Sequence, residues 1–300
     1  MKTHVIQNEP DEGKPVDVPT PEDDPRLRSW IKKHRLGTFF VLSYSLAWWA
    51  WPLYGLGVWP EQTFFAVAPL LAAAIVIAIA EGRPGFRDLA ARVIRWRVPW
   101  YWYAVAIGIP LAVRLLATMV NVGPGAAPVP EWTELAWSSF VLTFLVRLVN
   151  PMDGPLGEEP GWRGFALPRM QARTSPLVSA LILGILVAGW HLPLVFADDL
   201  GPIGLVTTFS ITIFYVWLFN HAGGSVLLTL IAHSTQGAIT MSDLGFAGAD
   251  LARQEWLECI AWTIVAVGLI VLDRAAWRTA PATAVYTDPR RVTAPAGAAQ

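Results

Sequence analysis

Residues 36–80 read LGTFFVLSYSLAWWAWPLYGLGVWPEQTFFAVAPLLAAAIVIAIA, with a single charged side chain, Glu61. On either side of Glu61 the apolar stretch runs to about 20 residues, the length of helix that crosses ~30 Å of bilayer hydrocarbon. Backbone facing lipid must satisfy its own hydrogen bonds, and no alternating barrel pattern is present, so both stretches are expected as helices. Working outward, further candidate spans lie at about 99–121, 133–150, 176–197, 202–220, 223–241 and 256–272. The chain is therefore expected to be all-α, a polytopic membrane helix bundle of about eight transmembrane helices. Composition agrees: 54% of residues are hydrophobic and 15% charged, where soluble domains carry roughly 25% charged.

Lys and Arg give the orientation. Of 22 basic residues, seven precede Leu36, five lie from Arg83 to Arg97, three from Arg163 to Arg173 and four from Arg274 onward. All of these fall on one side of a chain that crosses eight times, which places both termini in the cytoplasm of a multi-pass cell-membrane protein. Arg114 and Arg147 lie within spans, either paired near a helix end or binding an anionic group inside the bundle. The tails, residues 1–35 and 276–300, are polar or Ala/Pro/Thr-rich and are expected to be disordered, flanking one transmembrane domain of residues 36–275. No cleavable signal peptide is expected, since no short apolar region follows a basic start. The single cysteine, Cys259, excludes an intrachain disulfide and a cysteine metal cluster and reads as a small core residue. A net charge of −1 gives no reason to expect a nucleic-acid partner.

The fourth span is expected to be broken. Asn150-Pro151-Met152-Asp153-Gly154-Pro155-Leu156-Gly157 holds two prolines and two glycines, which cannot continue a helix smoothly. An unwound segment at membrane depth is tolerated only where protein surrounds it or water reaches it, so the break points to a cavity. A new helix is expected from near Glu158, with Pro160 in its first turn and a bend at Pro168.

Three polar segments carry the candidate chemistry: Gly157-Glu158-Glu159-Pro160-Gly161-Trp162-Arg163-Gly164, Gly189-Trp190-His191-Leu192-Pro193 and Ala232-His233-Ser234. Ionisable groups inside a membrane are costly, which makes each a functional candidate. Counted at 1.5 Å per residue from the basic side, Glu158 and His191 lie ~20 Å deep and His233 ~15 Å deep. A shared pocket opening toward that side is expected. Glu159 and Arg163 are four apart and can pair on one helix face, so Glu158 points elsewhere and is the carboxylate for chemistry. Glu158 with His191 and His233 around a water makes a general-base arrangement; the same three side chains could equally ligate a divalent metal such as zinc. Either His alone reads as a helix–helix hydrogen-bond partner, and only the conjunction points to catalysis. His221, beside an expected turn, and His4 and His34, in the tail, read as solvated.

These segments resemble the CAAX-protease and bacteriocin-processing family, also called the Abi family, of intramembrane endopeptidases. Its EExxxR motif stands here as Glu158-Glu159-Pro160-Gly161-Trp162-Arg163, its second-motif His as His191 and its third-motif His as His233, over roughly residues 133–240. The resemblance implies that Glu158 and His191 activate a water for attack on a peptide bond, that His233 helps stabilise the oxyanion, and that Glu159 and Arg163 support them. Two positions depart from the family pattern. Val187 stands where an aromatic is common, and Gly237 where the third motif has Asn; Gln236, one position earlier and ~100° round the helix, is the candidate stand-in. The expected function is an intramembrane endopeptidase acting on a peptide or lipidated protein within the lipid bilayer. The alternatives are a catalytically weak or inactive relative serving as a membrane protein-binding module, and a small ion-coupled transporter. On the endopeptidase reading, Gly237→Asn restores a donor and raises activity.

Overall fold

The computed structural model describes residues 25–59, 64–123, 137–197, 199–239 and 242–287. Glu61, His4 and the outer parts of both tails lie outside the described residues. Every long element among the described residues is helical, with no strand: α1 (Pro25–Lys33), α2 (Arg35–Trp48), α3 (Ala50–Gly55), α4 (Ala68–Ala80), α5 (Arg83–Val93), α6 (Tyr101–Val122), α7 (Trp137–Val149), α8 (Pro155–Glu159), a π-helical segment (Pro160–Ala166), α9 (Leu167–Gln171), α10 (Pro176–Trp190), α11 (Leu192–Phe196), α12 (Gly204–His221), α13 (Val226–Gln236) and α14 (Gly248–Leu272). Among the described residues, three helices are long and apolar enough to cross a membrane: Tyr101–Val122, Pro176–Phe196 and Gly248–Leu272. The expected span at 202–220 is the unbroken α12, whereas α2 gives way to α3 at Trp49. The outer faces of α10 and α14 expose Ile182, Ile185, Ile264 and Val267, as helices facing lipid tails do. This all-α arrangement is that of a polytopic membrane helix bundle.

The centre of the bundle is α12, whose residues from Ser210 to Phe219 are almost all buried; it lies between α10 and α14, while α6 packs on α13 and α14. On the other side, α8 and the π segment press against α4. Gly157 and Gly161, four apart, make that contact possible. A Cβ at Gly157 would stand 2.3 Å from the Pro151 carbonyl oxygen and 2.6 Å from that of Ala66, and one at Gly161 2.6 Å from the backbone of Pro69. Paired small residues let two helix backbones approach this closely, and α4 answers with buried Ala68, Ala72 and Ala73. Gly161→Ala should therefore lose about 1–3 kcal/mol by overpacking against backbone that cannot yield. Thermal unfolding in detergent would show this, and an unshifted midpoint would contradict the close approach.

The fourth span breaks as expected, though the new helix starts earlier. After Val149 the chain turns through Gly154, at φ 75°, and α8 begins at Pro155, not near Glu158. Pro160 is inside the continuous helix. It lacks the N–H of an α-helical bond and its ring crowds the preceding turn, and from Pro160 the helix widens into the π segment. Such bulges recur at functional sites.

The tail boundaries need correction at both ends. Residues 25–33 form α1, and residues 276–287 pack against the basic end with Trp277 and Ala284 buried. Arg92 donates to the Thr283 carbonyl (2.8 Å), Gln171 to that of Ala284 (3.0 Å), and the Tyr286 N–H to that of Pro168 (3.0 Å). Side chains from distant helices thus satisfy this segment's backbone, which composition does not reveal. Arg169 lies between the rings of Phe165 and Tyr286 (3.8 and 3.9 Å) and forks onto Glu81, which also accepts from Arg35. Arg35 in turn donates to the Tyr286 hydroxyl (3.1 Å), so the N-terminal and C-terminal described segments meet at one end of the bundle.

His221 is likewise not a solvated loop residue. It ends α12, its ring lies on those of Trp102 and Trp217 (5.0 and 4.7 Å), and Nε2 lies 2.7 Å from Asp273 Oδ2. The Trp217 indole N–H donates to the same carboxylate (2.8 Å). These two bonds, the indole's first, hold Asp273 below the usual carboxylate range. His34 sits between α1 and α2 with its ring against Trp30 (4.9 Å). Cys259 is buried and unpaired, the core residue expected.

Candidate active site

Each polar segment is delivered by a local break. His191 lies where α10 ends, because Pro193 cannot continue that helix; the turn is pinned by α2. The Trp48 indole donates to the Trp190 carbonyl (3.0 Å), the Trp190 indole to that of Ser43 (3.1 Å), and the Tyr44 hydroxyl to that of Leu186. Glu158 and Glu159 sit in α8 immediately before the π segment, and His233 lies in the last turn of α13.

The structure brings these groups together. Glu159 is fully buried, and its Oε1 accepts from Arg163 Nη1 (2.9 Å) and His233 Nδ1 (3.0 Å). Arg163 also donates to the Thr212 hydroxyl (3.3 Å) and stacks 4.8 Å from the Tyr215 ring centroid. The Tyr215 ring lies 5.6 Å from that of His233. A guanidinium and an imidazole on one oxygen of the buried carboxylate offset its desolvation, as a buried charge requires.

Glu158 is placed differently. Its Oε2 lies 4.0 Å from His191 Nε2, too far for a hydrogen bond and close enough for one water to bridge. His191 Nδ1 is 2.8 Å from the Val187 carbonyl. A carbonyl only accepts, so Nδ1 carries a proton, and Nε2 is the ring nitrogen that faces Glu158. His233 follows the same logic: with Nδ1 given to Glu159, Nε2 is the free ring atom. Both imidazoles are held by one nitrogen and open at the other.

A cavity of about 290 Å³ is lined by Glu158, Arg163, His191, Tyr215, His233 and Gln236. Its remaining walls include Asp199, Leu200, Gly201, Gly204, Arg114 and Glu258. Residues 199–204 follow α11, at the helix ends opposite Arg173 and Asp273. The cavity thus runs away from the basic end, the reverse of the expected opening, because His191 ends the helix that starts there. Arg114 is committed to Glu258 and to the Gln236 carbonyl (3.3 Å), and Gln254 donates to Glu258 (3.0 Å). Tyr215, Thr212, Arg114 and Glu258 are absent from the sequence-based site. Of these, Arg114 and Glu258 carry a visible signal, charged groups inside apolar spans.

Metal ligation by Glu158, His191 and His233 was the other expectation. Among the described residues, no three His, Cys, Asp or Glu side chains stand where they could hold a metal ion.

Comparison with known proteins bears on these same residues. Residues 136–239 match the family described as type II CAAX prenyl endopeptidase Rce1-like. The chain is also similar to "CAAX prenyl protease 2" of Methanococcus maripaludis, 25% identical over 134 residues, which are 44% of this chain. That alignment spans about half of the relative's length, 49%. Glu158, His191 and His233 all fall within the stretch that is similar to the Rce1-like family.

Proposed function

We propose that this protein is an intramembrane endopeptidase in which Glu158 and His191 activate a water against a peptide bond. The observation that carries this reading is the 4.0 Å approach of Glu158 Oε2 to His191 Nε2, the span of one water hydrogen-bonded to both. The carboxylate takes the water's proton as its oxygen attacks the substrate carbonyl carbon, and the carbonyl π electrons move onto oxygen. Collapse of that intermediate expels the amine, which receives the proton from Glu158. His233 faces the same cavity through Nε2 and, carrying a proton there, donates to the developing oxyanion. Glu159 holds His233 and Arg163 in place without touching substrate. Gln236 lines the cavity and stands as a further supporting side chain.

The substrate class is a peptide or lipidated protein segment in the cell membrane. A lipid-modified C-terminal peptide is the first to test, since the archaeal relative is named a prenyl protease. The Lys and Arg clusters orient the protein with both termini cytoplasmic, and the scissile segment enters from the Asp199–Gly204 end. Purified protein incubated with a farnesylated peptide should release the residues beyond the modified cysteine, read by mass spectrometry. No cleavage of this or of an unmodified peptide library would overturn the proposal in favour of a binding module. Gly237, which offers no side-chain donor, is the observation that favours that second reading.

A further inference from the structure

We infer that Arg147 supplies, from α7, the cationic side-chain donor that α13 lacks at Gly237, and that it stabilises the oxyanion beside His233. The inference rests on the hydrolase reading above. Gly237 lies four residues after His233, on the same helix face. Its φ of −98° is open to any residue, so the backbone does not demand glycine. What occupies the space of a side chain there is Arg147. A Cβ at Gly237 would stand 2.5 Å from Arg147 Nη2, 2.6 Å from Cζ and 2.8 Å from Nε. Three nearly equal distances mean that the guanidinium lies flat on the Gly237 backbone, in the space that a polar side chain there would fill.

The same guanidinium and the catalytic carboxylate both lie beside Gly154. A point one Cβ out from Gly154 is 3.3 Å from Glu158 Oε1 and 3.8 Å from Arg147 Nη2. Arg147 thus approaches Glu158 from the Gly154–Gly237 side, behind the cavity walls named above. Asp153 accepts from Nη1 (2.8 Å) and is itself 38% exposed, so it anchors the group while water screens its charge. Nε is buried with no hydrogen-bond partner, a state that calls for an explanation in a native structure. Arg163 likewise has a buried Nε without a partner, but its Nη atoms are held by Glu159 and Thr212, and Arg114 is held by Glu258 and the Gln236 carbonyl. Arg147 is thus a planar cation one helical turn from His233 whose Nε has no protein partner.

The consequence reverses the expectation for Gly237→Asn. With Arg147 present, the new Cβ displaces the guanidinium, and turnover of a farnesylated peptide falls. Arg147→Gln should lower kcat by about 100-fold with KM nearly unchanged, the signature of a lost oxyanion donor. Arg147→Ala with Gly237→Asn should recover about tenfold or more over Arg147→Ala alone, since the amide then occupies the vacated space. Should Arg147→Gln not fold, Arg147→Lys, which keeps the charge without the fork, should still lower kcat more than it changes KM. The inference is overturned by wild-type turnover in these Arg147 variants, by a gain from Gly237→Asn alone, or by a double variant no better than its parents. Wild-type cleavage that depends on Glu158 but not on Arg147 sinks this inference only. Absence of wild-type cleavage sinks the hydrolase reading, and this one with it.

Discussion

Glu158→Gln should abolish peptide hydrolysis and leave the fold intact. The amide fills the same volume but takes no proton from water, and general-base catalysis contributes roughly 10²–10⁴-fold, so kcat should fall by at least the lower figure. Stability should hardly move, because the nearest imidazole, His191, is 4.0 Å away and no salt bridge to Arg holds Glu158. Turnover of a farnesylated peptide, with size-exclusion profile and thermal midpoint measured on the same sample, separates the two effects. Wild-type turnover in this variant would remove Glu158 from the mechanism.

Glu159→Ala should do the opposite, although the residue is adjacent. Its carboxylate accepts from both Arg163 and His233 at zero exposure. Removing it leaves a guanidinium buried without its counter-charge, a loss of about 3–5 kcal/mol. Folded proteins are stable by only about 5–15 kcal/mol, so the variant should unfold at markedly lower temperature or fail to accumulate. Glu159→Gln, which keeps two hydrogen-bond acceptors on the side-chain oxygen, should lose less. Chemical or thermal denaturation in detergent measures both, and a Glu159→Ala protein as stable as wild type would show that the buried cluster is not structural.

The contrast between these neighbours marks how much was legible in the chain. EExxxR spacing places Glu159 and Arg163 on one helix face, and the structure pairs them at 2.9 Å. The Pro/Gly run at 150–157 announces a break, and the chain turns there at Gly154. The π-helical widening after Pro160 was not legible, since a proline inside a helix can also end or kink it, and packing on α4 decides which. The direction in which the cavity runs was misjudged because rise per residue gives depth and not which wall is open. The ordered segment 276–287 was missed because its partners, Arg92, Gln171 and Arg169, lie more than a hundred residues away.

Local sequence by itself determined what depends on near neighbours: apolar length sufficient for membrane helices, the helix-breaking prolines and glycines, the i, i+4 ion pair, and the three polar segments a lipid-facing chain would not carry idly. Tertiary structure alone decided what depends on groups remote in the chain. It set which nitrogen of each imidazole stays open, where the cavity leads, and that the emptiness of Gly237 is filled by Arg147 from another helix. The reason is physical. Helical propensity and hydrophobicity act over a few residues, whereas hydrogen bonding and steric exclusion inside a bundle join side chains whose separation along the chain has no bearing on their distance.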